Sequence, residues 1–259
     1  MDCLYGTWCK LTTQLKENKT HIYQKQKSTE NKEIRIVSYN VKALFPFYNR
    51  RRIKDLINYI ESLFMERKAD IICLQEAFEL DFHNQLYEAA AKNRLNIVHP
   101  PLERSGWVGE NSGLITVSRF PITSDKFVRY RQASGMCWFA NKGAHYMTVG
   151  IGSNKSLRLV NTHLQSDNET IAINQFGQLI DNTNEALIVG DLNMGFDTVC
   201  KKLDQVKSVN SEKVVTFPEY NDQLDYFLLY NLELDCSFSV LSDVELSDHY
   251  PILTTFVFP

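Results

Sequence analysis

Two packed, mostly antiparallel sheets with helices on their outer faces form the architecture that the sequence predicts, an α+β fold. Three observations carry it. Helical and extended patterns mix along the chain without a strict βαβ alternation, which argues against a doubly wound parallel sheet. Between residues 113 and 164 strand-like segments follow one another directly, and neighbours of that kind pair antiparallel. Finally, 15 Phe and 12 Tyr stand within a composition that is 44% hydrophobic, enough for a large core and typical of sheets packed face to face.

Residues 1–32 form a polar arm, with Lys16-Glu17-Asn18-Lys19 and Gln24-Lys25-Gln26-Lys27 in it and Trp8 and Leu11 as points that could tack it to the body. Regular patterning begins at Ile34 and continues to Phe258 without a Pro/Gly/Ser linker or a repeat, so 33–259 reads as one domain. Alternation predicts a strand over 34–41. A helix over 51–68 follows, its inward face made by Ile53, Leu56, Ile57, Ile60, Leu63 and Phe64 at helical spacing. A short buried-type strand over 70–75 and a second helix over 82–93 come next. Strands are expected over 113–118, 127–130, 145–151 and 157–164. Ile173, Phe176 and Ile180 mark the inner face of a helix over 169–181. The last strands are expected over 186–190, 224–229 and 252–258.

The net charge of -3 gives no basic footprint of the kind a nonspecific nucleic-acid binder shows, although a metal ion could meet a phosphate in its place. Six cysteines are widely spaced and form no C-x-x-C pair, so neither a disulfide-stapled scaffold nor a zinc site is expected. Cys73 sits in an apolar strand and is expected to be a free buried thiol. No basic region leads into an apolar run at the N-terminus, and no apolar stretch is long enough to span a bilayer. The expectation is a cytoplasmic monomer whose membrane contact, if any, is peripheral.

Six segments place a polar or ionisable residue at a strand end: Ser38-Tyr39-Asn40, Leu74-Gln75-Glu76, Asn161-Thr162-His163, Gly190-Asp191-Leu192-Asn193, Leu224-Asp225-Tyr226 and Ser247-Asp248-His249. Taken singly, each has a bland explanation. Glu76 could cap the next helix, Asp191-Leu192-Asn193 could be an Asx-type turn, and Asp248-His249 an exposed loop pair. Together they describe a cup for a divalent cation. Mg²⁺ needs only one or two carboxylates beside substrate phosphate, and Glu76 is a good first ligand. Period-two geometry puts Asp191 and Asn193 on one side of the chain, where they could hold a water and a phosphate oxygen. His249 can accept a proton near neutral pH, and Asp225 is available to hold its tautomer. An uncharged Asn40 can bond a phosphate oxygen. The histidines at 21, 83, 99 and 145 have no such context.

With these motifs in this order, the run from Ile34 to Phe258 resembles the endonuclease/exonuclease/phosphatase superfamily, the metal-dependent phosphodiesterases that include type I deoxyribonuclease and neutral sphingomyelinase. The resemblance implies a four-layer α/β/β/α sandwich with the active site at one end of the two sheets. It implies Glu76, Asn40 and Asp248 as metal-side residues, with Mg²⁺ as the ion and Mn²⁺ as an alternative. It further implies His163 as a phosphate-contacting histidine, Asp191 and Asn193 as water- and phosphate-positioning residues, and Asp225 as the partner of His249. The general base is then His249, with Asp191 as the other candidate.

Finer segments lean toward the sphingomyelinase branch. Asn141-Lys142-Gly143 is similar to an N-K-G stretch of bacterial and related neutral sphingomyelinases, and Thr162-His163-Leu164-Gln165-Ser166-Asp167 to their T-H-x-Q-S-D segment. Lys142 reads equally as a substrate-phosphate ligand or as a solvated turn. One departure stands out: the long apolar hairpin of bacterial sphingomyelinases is missing between Tyr226 and Ser247. Phe45-Pro46-Phe47-Tyr48 or Trp107 could replace it at a lipid interface. The run Arg50-Arg51-Arg52 with Lys54 opens a helix, where the dipole disfavours cations, and its default is a solvated face. The expected substrate is sphingomyelin or a related lipid. Cleavage of nucleic-acid phosphodiesters is the alternative, and a non-catalytic scaffold the second.

Overall fold

The computed structural model describes residues 33–44, 49–100, 103–105, 108–152 and 155–258. The polar arm, Phe45-Pro46-Phe47-Tyr48 and Trp107 lie outside the described residues. In chain order the first half holds β1 (Glu33–Ala43), α1 (Arg50–Met65), β2 (Ile71–Ala77), α2 (Leu80–Lys92), β3 (Asn96–Val98), β4 (Glu103–Ser105), β5 (Val108–Glu110), β6 (Ile115–Ser118) and β7 (Ile122–Arg129). The second half holds β8 (Gly143–Gly150), β9 (Ser156–His163), α3 (Glu169–Ile180), β10 (Ala186–Asp191), α4 (Phe196–Lys202), β11 (Lys207–Ser208), β12 (Asp225–Tyr230), β13 (Asp235–Val240) and β14 (Ile252–Val257). Short 3₁₀ turns occupy Gly135–Phe139 and Pro218–Tyr220.

Two six-stranded sheets result, ordered β13-β14-β1-β2-β6-β3 and β11-β12-β10-β9-β8-β7, while β4 and β5 pair apart. Each sheet is antiparallel except for one parallel pair at its centre, β1 with β2 and β9 with β10. A parallel pair needs a crossover, and α1 and α3 supply it. Asn49 accepts from the amides of Arg51 and Arg52 to start α1, and Asn168 accepts from Ile171 to start α3.

Strand periodicity divides the apolar residues into three layers. Along β1, Ile34 and Ile36 face the other sheet, whereas Val37, Tyr39 and Val41 pack against α1 and α2. Along β10, Leu187 and Val189 face the other sheet, whereas Ala186 and Ile188 pack under α3. Helix–sheet, sheet–sheet and sheet–helix cores stack in that order, which is the four-layer sandwich. Cys73 is free and buried in the middle layer. Among the described residues no helix is long and apolar enough to cross a membrane.

Every expected helix and strand is present with shifted ends. The additions are β3, the β4–β5 hairpin, α4, β11 and β13. In β13 most side chains are half-buried or exposed, so the strand carries no alternating signal. It occupies the segment in which the apolar hairpin is missing. The charge run that opens α1 is not simply a solvated face: half-buried Arg52 donates to the carbonyls of Val41 at 2.9 Å, Lys42 at 2.7 Å and Leu246 at 2.9 Å.

Candidate active site

The face that each central strand turns to the other sheet changes from apolar to polar at one end of the sandwich. On β1 the order is Ile34, Ile36, Ser38, Asn40; on β2 it is Ile71, Cys73, Gln75. On β9 it is Leu157, Leu159, Asn161, His163, and on β10 it is Leu187, Val189, Asp191. In the parallel pairs these polar residues stand at the carboxyl ends. Asp225 opens β12 antiparallel to β10, so it lies opposite Asp191 in register. The site is the polar end of the inter-sheet core.

Beneath it, Asn161 fastens one sheet to the other. Its amide nitrogen donates to the carbonyls of Leu74 and Ile115, each at 3.2 Å, and to Thr116 Oγ1 at 3.3 Å. Its oxygen accepts from Gln75 Nε2 at 2.9 Å, and Gln75 in turn bonds Ser38. Neither Asn161 nor Gln75 was expected at the site, although both belong to its motifs. Sequence alone does not show which residues meet across two sheets.

Glu76 breaks the alternation. Following Gln75, it would point toward the helices, but its backbone has φ 53, in the left-handed region, and β1 and β2 lose register beside it. That turn brings its carboxylate to the Asn40 amide nitrogen at 3.1 Å. Strain of this kind in a non-glycine residue persists where surrounding structure enforces it, commonly at functional sites. The same amide nitrogen donates to Asp191 Oδ2 at 3.0 Å, while Asn40 Oδ1 accepts from the Lys42 amide at 3.1 Å. Asn40 therefore bridges the two acids through nitrogen.

Gly190 makes the approach of Asp191 feasible. Its φ is 142, and a Cβ there would stand 1.9 Å from the Thr162 carbonyl oxygen. Asp191 Oδ1 accepts the Asn193 amide at 2.9 Å, and Asn193, itself left-handed at φ 49, donates its side chain to the Leu164 carbonyl at 3.1 Å. Burial raises the pKa of Asp191 to about 6, against the pull of the nearby His249 ring and with a further push from Asp225.

Two imidazoles face these acids in different charge states. His249 Nδ1 meets Asp225 Oδ2 at 2.8 Å, and its Nε2 lies 3.8 Å from Asp191 Oδ2. Burial opposes a charge on this ring, but Asp225 and Asp191 outweigh it and raise its pKa to about 10. Phe217 packs on the ring at 4.6 Å between centroids, an unexpected neighbour. His163 Nε2 lies 3.5 Å from Asp191 and 3.8 Å from Glu76. Burial, then the cationic Lys142 and His249, hold its pKa well below the usual value, so this ring is neutral.

Lys142 is buried rather than a solvated turn residue. Its ammonium donates to the Leu164 carbonyl at 2.8 Å. Burial lowers its pKa, and Cys137, Glu76 and Asp191 act in the opposite direction. Asp248 stands apart from the acid clusters described below, with Oδ2 against the Lys42 ammonium at 2.6 Å. Lys42 is a further residue that sequence reasoning missed, since a single lysine at the end of a strand carries no motif.

Glu76, His163 and Asp191 each bring one potential ligand atom within 4.8 Å of the others, and so do Asp191, Asp225 and His249. Carboxylate oxygens suit a hard ion such as Mg²⁺ or Mn²⁺. The buried Asp225 Oδ1 and His163 Nδ1 have no hydrogen-bond partner, and Asp191 is removed from water beside another acid. Such a donor set gains from added positive charge, so the residues fit a divalent cation.

The model of the endonuclease/exonuclease/phosphatase family matches residues 37–249. Sphingomyelinase C from Streptomyces griseocarneus has a similar structure, with a TM-score of 0.64 at 20% identity, covering 87% of this chain and 99% of that one. Beta toxin from Staphylococcus aureus with bound magnesium ions gives 0.67 at 20% identity, over 87% and 100%. A humanised D. rerio TDP2 gives 0.66 at 15% identity, over 88% and 100%. No curated protein matches the chain in sequence.

Proposed function

Because the chain belongs to the endonuclease/exonuclease/phosphatase family, we propose that it is a Mg²⁺-dependent phosphodiesterase that splits sphingomyelin into ceramide and phosphocholine. The observation that carries the reaction class is one buried cup with two carboxylates, Glu76 and Asp191, faced by the His249–Asp225 pair. The lipid reading rests on the Asn141-Lys142-Gly143 and Thr162-to-Asp167 segments, and the likeness in fold to a sphingomyelinase C is consistent with it.

Glu76 and Asp191 would hold the cation. When bound, it would polarise the phosphoryl oxygens and offset the negative charge that keeps the His249 ring protonated. Asp225 accepts the Nδ1 proton of His249 and leaves Nε2 turned toward Asp191 and the cup. There Nε2 can take the proton that water releases as its oxygen attacks phosphorus in line, while the bond to the ceramide oxygen breaks and that oxygen takes up a proton from solvent. Neutral His163 and the buried Lys142 ammonium line the side where phosphate oxygens would sit. Asn193 keeps Asp191 in place through its backbone amide.

Cleavage of nucleic acid is the second reading, favoured by one feature. Exposed Tyr220 stacks on Phe217 at 5.3 Å, and Phe217 lies on His249, which makes an aromatic path out of the cup that a base could share. Parallel incubations with sphingomyelin micelles and supercoiled plasmid, each with Mg²⁺ or EDTA, separate the two. Phosphocholine release that needs Mg²⁺ and is lost in His249→Ala supports the lipid reading. Nicked plasmid beside intact lipid would replace it with the second.

A further inference from the structure

Asp248 follows from the motif as a metal-side carboxylate, yet both of its oxygens already have partners. Oδ2 meets the Lys42 ammonium at 2.6 Å, and Oδ1 accepts from Ser247 Oγ at 3.2 Å. The ion pair is about three-quarters buried on each side, with 28% of the Lys42 and 25% of the Asp248 side chain exposed. It joins residues 206 positions apart in the chain.

Lys42 is held for this contact along its backbone as well. Its φ is 46, in the left-handed region that an unbranched side chain tolerates at a cost. Its amide donates to Asn40 Oδ1 at 3.1 Å, and its carbonyl accepts from Arg52 at 2.7 Å. The same guanidinium reaches the Leu246 carbonyl at 2.9 Å, so Arg52 ties the end of β1 to the segment that carries Asp248. Both halves of the pair are therefore placed before any ligand arrives.

We propose that the Lys42 ammonium is a built-in cation of this site, occupying Asp248 so that the cup takes up a single divalent metal ion. With Asp248 engaged by Lys42, and Asp225 Oδ2 held by His249 Nδ1 at 2.8 Å, Glu76 and Asp191 remain as the carboxylates that face the cup. Lys42 is in this sense a positioning residue, acting through Asp248.

The inference rests on the cation-dependent reading of the site, and counting bound Mn²⁺ separates the two. Equilibrium dialysis, with electron paramagnetic resonance on the bound ion, should give one Mn²⁺ per wild-type chain and an uncoupled signal. Lys42→Arg keeps the charge and should keep that count. Lys42→Met, checked for cooperative melting, should take up a second, weaker ion at Asp248. Two ions on the wild-type chain would overturn the inference and leave the phosphodiesterase reading intact. A count that stays at one in folded Lys42→Met would do the same. No bound Mn²⁺ on the wild-type chain would overturn both.

Discussion

Replacing Gly190 with alanine should damage stability and activity together, because one glycine lets the central strands of the second sheet meet and carries Asp191 at its end. A Cβ at this position would stand 1.9 Å from the Thr162 carbonyl oxygen and 3.0 Å from its carbon, against backbone that cannot rotate away. Relief requires β10 to move about 1 Å from β9, since carbon and oxygen rarely approach below about 3 Å. The φ of 142 adds a backbone cost of about 1–3 kcal/mol for a residue with a side chain. Weakening one or two ladder hydrogen bonds adds about 1 kcal/mol each. The sum is about 4 kcal/mol, which lowers the melting temperature of a chain this size by about 10 °C. Calorimetry reads that shift, and Mg²⁺-dependent turnover below the transition reads the displaced carboxylate. A variant melting within about 2 °C of wild type with full turnover would refute the close-approach reasoning.

Asp225→Asn should retain the fold but lower kcat about 10³-fold, because the Nδ1 partner of His249 is no longer an acceptor with a full charge. Turnover close to wild type would mean that this pair does not serve the reaction. Asn161→Ala should cost about 3 kcal/mol in a urea titration, since it removes the donor to the carbonyls of Leu74 and Ile115 and the shortest acceptor of Gln75 Nε2, which keeps Ser38 Oγ at 3.2 Å and the Cys73 carbonyl at 3.4 Å. A loss below about 1 kcal/mol would show the inter-sheet fastener to be dispensable. His83 is predicted to weaken the fold in acid. Burial, then nearby His99, lower its pKa to about 4, against the pull of the Ala77 carbonyl. An unfolded chain takes up this proton near 6.5, so the contribution is complete above that pH and disappears as pH falls to 4. Wild type should lose about 3 kcal/mol more than His83→Gln between pH 7 and 4, and parallel profiles for the two would contradict this.

Much of the site was legible because chemistry-bearing residues end apolar strands. The runs before Asn40, Glu76, His163 and Asp191 announce strands through their own hydrophobicity, and topology then collects their carboxyl ends. What stayed hidden follows from physical causes as well. The half-exposed edge strand β13 has no buried face to pattern its sequence. In β7, the exposed Ser124, Asp125 and Lys126 concealed the first half of the strand. The left-handed turn at Glu76 leaves no mark in the residue type, so its departure from alternation could not be read. Lys42 and Arg52 act across long sequence separations through backbone carbonyls and a carboxylate, contacts that no local spacing encodes.

The most direct test is hydrolysis of sphingomyelin in oxygen-18 water, with Mg²⁺ or with EDTA, followed by mass spectrometry of the products. In-line attack of water on phosphorus predicts one labelled oxygen in the released phosphocholine and none in ceramide. It also predicts no release with EDTA or from His249→Ala. Label in ceramide, or release that persists without a divalent cation, would contradict the reaction assigned to this cup.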